Sequence, residues 1–167
     1  MNKSPSAFWH FSLRLYRRPE VPAVCIDLQD QHGLDVNLLF FIVFLAINQR
    51  RVTADDIRRI DAYIRDWRAR VVQPLRALRR DLKGGITPVD ANATEALRSA
   101  IKRDELQAER LQQETMERAF PVLSIGVMAE PRAAALENLN AHGAVFGALP
   151  QAAIDTLLSA LTAEFLV

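Results

Sequence analysis

The chain has a single cysteine, Cys25. No intramolecular disulfide can brace it, and one lone thiol fits a reducing compartment. Neither sign of charge is in excess: 21 basic against 20 acidic side chains leave a formal net charge of +1. That balance removes any global pull toward nucleic acid or anionic membrane, so a charged partner would have to be met by a local patch. Runs of alternating valine and isoleucine are missing, which argues against a sheet and for an all-α domain. Also missing are G-x-x-x-x-G-K-[ST], G-x-G-x-x-G after a strand, G-x-S-x-G and H-E-x-x-H. Together these absences remove the commonest nucleotide and hydrolase sites and lean against an enzyme; they imply no cofactor, metal or catalytic residue. The opening MNKSPSAFWHF lacks a long apolar core of the kind a secretory leader needs, so a cytoplasmic location is expected.

What is present is organised around residues 35–49, DVNLLFFIVFLAINQ, in which residues 38–47 are apolar without a break. A helix that is greasy all round has no face for water and belongs at the centre of something. At ~1.5 Å per residue the ten-residue run spans about 15 Å, short of the ~30 Å of a bilayer core, so no membrane insertion is expected. Asp35 can cap this helix at its positive end.

The flanking sequence reads as helices. Ser4-Pro5 has the form of a helix start, and Phe8, Phe11 or Ser12, and Leu15 fall on one stripe before Pro19, with Trp9, Leu13 and Tyr16 on its flank. A second helix covers residues 21–32, with Gly33 as a left-handed terminator. Thr53 and Asp56 have capping-box spacing. The helix they open carries Ile57, Ile60, Ile64, Trp67, Val71, Leu75, Leu78 and Leu82 in steps of three and four, with a kink or break expected near Val72-Gln73 because of Pro74. Thr87-Pro88 repeats the start signal. A long charged helix then reaches Ala119 with a thin stripe of Val89, Ala93, Leu97, Ile101, Ala108 and Leu111; Asp104 falls where an apolar residue would be wanted. Residues 122–128 fit either a short strand or a helix start. Helices follow over 131–142, closed by Gly143, and over 150–166, with Ile154, Leu157, Leu158, Leu161 and Phe165 as the last stripe. The expected architecture is all-α: a single-domain orthogonal helical bundle around a buried central helix. Residues 1–120 form its core, and 121–167 form a C-terminal helical extension packed on the same domain.

Two side-chain groups could carry chemistry. The first is Asp27, Gln29, Asp30, His32, Asp35 and Asn37, crowded beside the greasiest helix. Cys25 and His32 are two helical turns apart, about 10 Å, too far to share a metal ion directly. A structural polar network is the favoured reading, with Cys25 as a small buried hydrophobe. Buried polar groups must be paired, however, at ~1–3 kcal/mol for each left unpaired, so either these groups satisfy one another or a ligand does. The second group is the ridge Arg76, Arg79, Arg80 and Lys83, which could meet phosphates or, with more weight, Glu105, Glu109, Glu114 and Glu117. The aromatic opening is read as core, unless Trp9 and Tyr16 lie off the stripe as a partner patch; His10 and His142 are expected at the surface.

Residues 8–16, FWHFSLRLY, are followed by Cys25, Leu28, Gln29, Asp30, Gly33, Asp35, Val36 and Asn37 in the spacing C-x-x-L-Q-D-x-x-G-x-D-V-N. With WRARVVQPLRALRRDLK at 67–83 and ELQAER at 105–110, this pattern resembles the DUF2390 family of small bacterial proteins. The resemblance implies a bacterial, cytoplasmic helical protein and brings no activity with it. The sequence alone therefore favours a protein-interaction adaptor or regulator whose partner is another protein or a second copy, with nucleic acid disfavoured. The alternative is a small helical enzyme or carrier that binds a phosphorylated or carboxylated ligand near Asp27, Asp30, His32 and Asp35.

Overall fold

A helix without a polar face gathers its neighbours round it, and the computed structural model, which describes residues 6–166, shows this for the central run. The elements in order are α1 (Ala7–Tyr16), α2 (Val21–His32), α3 (Val36–Ile47), β1 (Arg50–Arg51), α4 (Ala54–Trp67), a π turn (Arg68–Val72), α5 (Gln73–Asp81), α6 (Ala91–Ala119), a 3-10 turn (Val122–Ser124), β2 (Val127–Met128), α7 (Pro131–Phe146) and α8 (Gln151–Phe165). Among the described residues the fold is all-α apart from one two-residue antiparallel ladder, Arg50 opposite Met128 and Arg51 opposite Val127. Residues 122–128 are thus a 3-10 turn and then a strand. Among the described residues no helix is long and apolar enough to cross a membrane.

The chain divides into two compact units, one made of the residues up to Asp61 and from Gln113 onward, the other of Ala62–Gln112. In the first, every side chain of α3 from Asn37 to Ala46 is buried. Its principal neighbour is α7, which offers Ala134, Ala135 and Leu139, all fully buried. Small side chains there let the two backbones come close. From α1, Phe8 lies with its ring centre 5.0 Å from that of Phe41 and 5.2 Å from that of Phe44, and Phe11 is 5.4 Å from Phe44. Phe165 of α8 closes the aromatic group at 4.6 Å from Phe11.

Caps follow local chemistry. Gly33 takes φ +64° at the end of α2, and the Asp35 carboxylate accepts from Asn37 N at 2.9 Å at the start of α3. Thr53 and Asp56 form the capping box reciprocally, with bonds of 2.9–3.2 Å. Three boundaries differ from the expected ones. Ser4 and Pro5 lie outside the described residues; the cap of α1 is Ser6, whose hydroxyl accepts from Trp9 N at 2.9 Å. Thr87-Pro88 is a cis peptide in the turn before α6, and Asp90 caps that helix by accepting from Ala93 N at 2.9 Å. α7 does not stop at Gly143 but runs to Phe146, closed by Gly147 at φ +105°. Gly143 serves close packing instead, since a Cβ there would meet Ala148 Cα at 3.3 Å.

In the second unit Pro74 does not break the helix. The turn before it widens to π, so that Gln73 N donates five residues back to Arg68 O, and α5 resumes with proline in its first turn. The extra residue shifts the stripe: after Ile64 the buried side chain is Val72, not Val71, and Leu78 is exposed. α6 shows a second shift. Its buried positions in this unit are Thr94, Ile101, Glu105, Ala108 and Gln112, whereas Val89, Leu97 and Leu111 of the apolar stripe are exposed.

Candidate functional site

The first turn of α3 is where polar groups enter the core. Of the six residues singled out there, Asp27, Asp30 and His32 point outward from α2 and are exposed, and Gln29 is half-buried. Asp35 is half-buried at the cap of α3, and Asn37 alone is buried. The Asn37 Oδ1 accepts from Gln113 Nε2 at 2.7 Å in a buried pair. Of the six, Asn37 is thus the one in a buried polar pair, and its partner comes from a distant part of the chain.

Those distant residues are Gln113, Asn138 and His142. Ala135, Asn138, Leu139 and His142 are all buried at steps of three and four along α7, a spacing readable beforehand had polar residues been admitted to the stripe. Asn138 is fully used: its Nδ2 donates to Ile42 O at 2.8 Å and to Arg50 O at 3.0 Å, and its Oδ1 accepts from Val52 N at 2.8 Å. This ties the middle of α3 to β1 and the residue that follows it. One helical turn later stands His142, which was expected at the surface and is instead 1% exposed. Its ring lies 4.8 Å from that of Phe146, and neither Nδ1 nor Nε2 has a hydrogen-bond partner. Burial lowers the imidazole pKa from 6.5 to about 4, against an opposing pull from the charges of Asp35 and Asp61. The ring is therefore neutral at pH 7. Gln113 Oε1 is buried and likewise without a partner.

Cys25 contributes no nucleophile, because burial pushes its thiol up to about 12. Among the described residues no three His, Cys, Asp or Glu side chains come together as a metal ion would require.

The arginine ridge divides as well. Arg76 Nε donates to Glu105 Oε1 at 2.9 Å and its Nη2 to Glu109 Oε1 at 2.5 Å. Arg79 bonds both carboxylate oxygens of Glu105, the longer contact at 3.2 Å. Burial alone would raise the Glu105 carboxyl; the hydrogen bonds and charges of Arg79 and Arg76 outweigh it and hold the group below its ordinary range. Arg80 and Lys83 are exposed. Nearby, Trp67 Nε1 donates to Ala108 O at 3.0 Å.

A third feature is apolar and external. Leu123 is 84% exposed and Met128 75%, with Val127 also exposed between them. The segment's backbone is nonetheless tied to its neighbours. The ladder fixes β2, and Ala129 N donates to Gln49 O at 3.0 Å. Gly126 takes φ +66° where a Cβ would run into the Arg51 carbonyl, so only glycine fits.

The chain belongs to DUF2390, a family described as protein of unknown function, whose model matches residues 7–116. No curated protein and no solved structure matches it. The matched region takes in Asp35, Asn37 and Gln113 and stops short of Leu123, Met128 and His142.

Proposed function

We propose that this is a protein-interaction module, an adaptor or regulator working in a reducing cytoplasm, whose docking surface is the apolar segment from Leu123 to Met128. The single observation that carries the reading is a hydrogen-bonded backbone presenting Leu123, Val127 and Met128 to water. Such a segment loses little entropy when a partner covers it, and its exposure costs free energy until one does. The partner is another protein or a second copy of the chain. Balanced charge supports contact by shape rather than by a long-range field. An anionic metabolite is a poorer fit, because Arg76 and Arg79 are already engaged by carboxylates.

The test is quantified capture of partners on the immobilised protein, with light scattering for self-association. Leu123→Asp with Met128→Asp should abolish capture or self-association while changing stability by no more than about 0.5 kcal/mol, as surface substitutions do. A strictly monomeric protein that captures nothing above background overturns the proposal.

A further inference from the structure

We propose that the Ala62–Gln112 unit pairs with the same unit of a second copy of the chain, through an apolar face at the turn end of the α5–α6 hairpin. The inference rests on other residues than the docking reading and leaves Leu123 to Met128 to a different protein.

Four large apolar side chains of this unit stand half in water close to the connection between α5 and α6: Leu78 is 48% exposed, Ile86 50%, Val89 59% and Leu97 54%. Ile86 and Val89 lie in the connection itself, where Val89 N donates to Ile86 O at 2.9 Å. The ion pairs show how the two helices face. Arg76 bonds Glu105 and Glu109, and Arg79, three residues on, bonds Glu105, so the contacts run in opposite directions and the helices are antiparallel. A helix turns about 100° per residue. Going round α5 from Arg76, one passes Arg79 and Leu75 and reaches Leu78. Going round α6 from Glu109 in the same rotational sense, one passes Glu105 and Ile101 and reaches Leu97. On antiparallel neighbours the same sense leads to the same side of the pair. Leu78 and Leu97 therefore share one side of the hairpin, and Arg76 and Glu109 lie toward the other. Leu106, nine residues beyond Leu97, is turned about 180° from it.

Charge and area select the occupant. The neighbours of Leu97 three and four residues away are Ala93, Thr94, Ala100 and Ile101, all uncharged; around Leu78 the one charge at those spacings is Asp81. Such a face gives a charged partner nothing to pair with, yet meets its own copy across a two-fold axis with little like-charge repulsion. The four side chains present on the order of 400 Å² of apolar surface, the size at which a patch on a single chain signals an interaction. Two copies bring about 800 Å². Since roughly 57% of an interface is non-polar, that matches about 1,400 Å² in all, within the ~1,200–2,000 Å² that specific interfaces bury. The low end of that range fits a weak dimer, with a Kd of about 10–100 μM.

Sedimentation equilibrium of the full chain over about 1–500 μM tests this. The mean mass should rise with concentration from 18.8 kDa toward twice that value. Leu78→Asp with Leu97→Asp should raise the Kd roughly tenfold or more, whereas Leu106→Asp, an equally exposed position on the opposite face of α6, should leave it unchanged. A chain that stays monomeric throughout overturns the proposal, as does a dimer that survives the double substitution or is lost equally with Leu106→Asp. Leu123→Asp with Met128→Asp separates the two surfaces: the dimer should persist, and its loss would overturn this inference while leaving the docking reading standing. Should the Leu78/Leu97 variant fail to fold, hydroxyl-radical footprinting of the unaltered protein decides. Oxidation of Leu78 and Leu97 must fall as concentration rises while that of Leu106 holds constant; equal oxidation of all three at every concentration overturns the proposal.

Discussion

The unit around α3 and the unit spanning Ala62–Gln112 bury different things. The first encloses an aromatic and aliphatic core in which Phe8, Phe41, Leu39 and Leu45 are almost wholly shielded from water. The second buries a carboxylate, Glu105, and holds it with two arginines, while Leu78, Ile86, Val89, Leu97 and Leu106 remain exposed. An apolar core is non-directional and tolerates small displacements; a desolvated ion pair depends on geometry and loses most of its worth when one partner goes. The two units should therefore respond differently to the same perturbation.

The largest contrast is in truncation. Phe41→Ala removes a ring packed against Phe8 and Phe44 and should cost about 3–5 kcal/mol in chemical denaturation, enough to threaten folding outright. A loss below about 1 kcal/mol would mean that α3 is not the enclosed element described.

Acid separates the units next. The folded-state pKa of His142 is about 4 against an ordinary 6.5, so between those values the unfolded chain binds the extra proton. The stabilisation is complete above 6.5 and is lost as pH falls toward 4, to a total of about 3 kcal/mol. Glu105 works in a lower window: its carboxyl is held below 4.5, so its contribution persists above that value and disappears only as pH falls through the lowered one. Amide hydrogen exchange between pH 7 and 5 should therefore loosen the α3 unit before residues 62–112, and His142→Phe should flatten the response. Simultaneous loosening of both units would erase the distinction.

Removing the buried carboxylate probes the second unit directly. Glu105→Gln removes the charge that Arg79 and Arg76 share, while Arg76 keeps Glu109, and should cost about 2 kcal/mol, less than a fully buried pair because both arginines keep some water. Replacing Glu105, Arg76 and Arg79 together by methionine or leucine should be neutral or stabilising. If the triple replacement is as damaging as the single one, the pairs contribute net stability and the comparison needs revision.

What could be read in the residues, and what could not, divides along the same line. The burial of α3, the ends of α2 and the capping box at Thr53 follow from short-range chemistry and were legible. His142 was not, because a lone histidine on a helix is normally assigned to water, and its burial is decided by what α7 packs against. Nor was the inner polar pair, since Gln113 is distant in sequence from Asn37 and nothing local announces it. The shifts in the second unit have the same origin. The widened turn before Pro74 adds a residue that no periodic count allows for, and on α6 the stripe includes Glu105 and Gln112, which a search for apolar residues passes over.

That last shift yields the smallest expected effect and the sharpest check on register. The apolar pattern puts Leu97 and Ile101 on one buried stripe; the structure buries Ile101 and leaves Leu97 exposed. The two positions are one turn apart, so helix propensity and end effects hardly distinguish them. Leu97→Gln should alter stability by less than about 0.5 kcal/mol, whereas Ile101→Ala should cost about 2–4 kcal/mol. Equal costs at both positions would rotate α6 back toward the purely apolar stripe. Glu105 would then leave the interior, and the ionic character that separates this unit from the one around α3 would go with it.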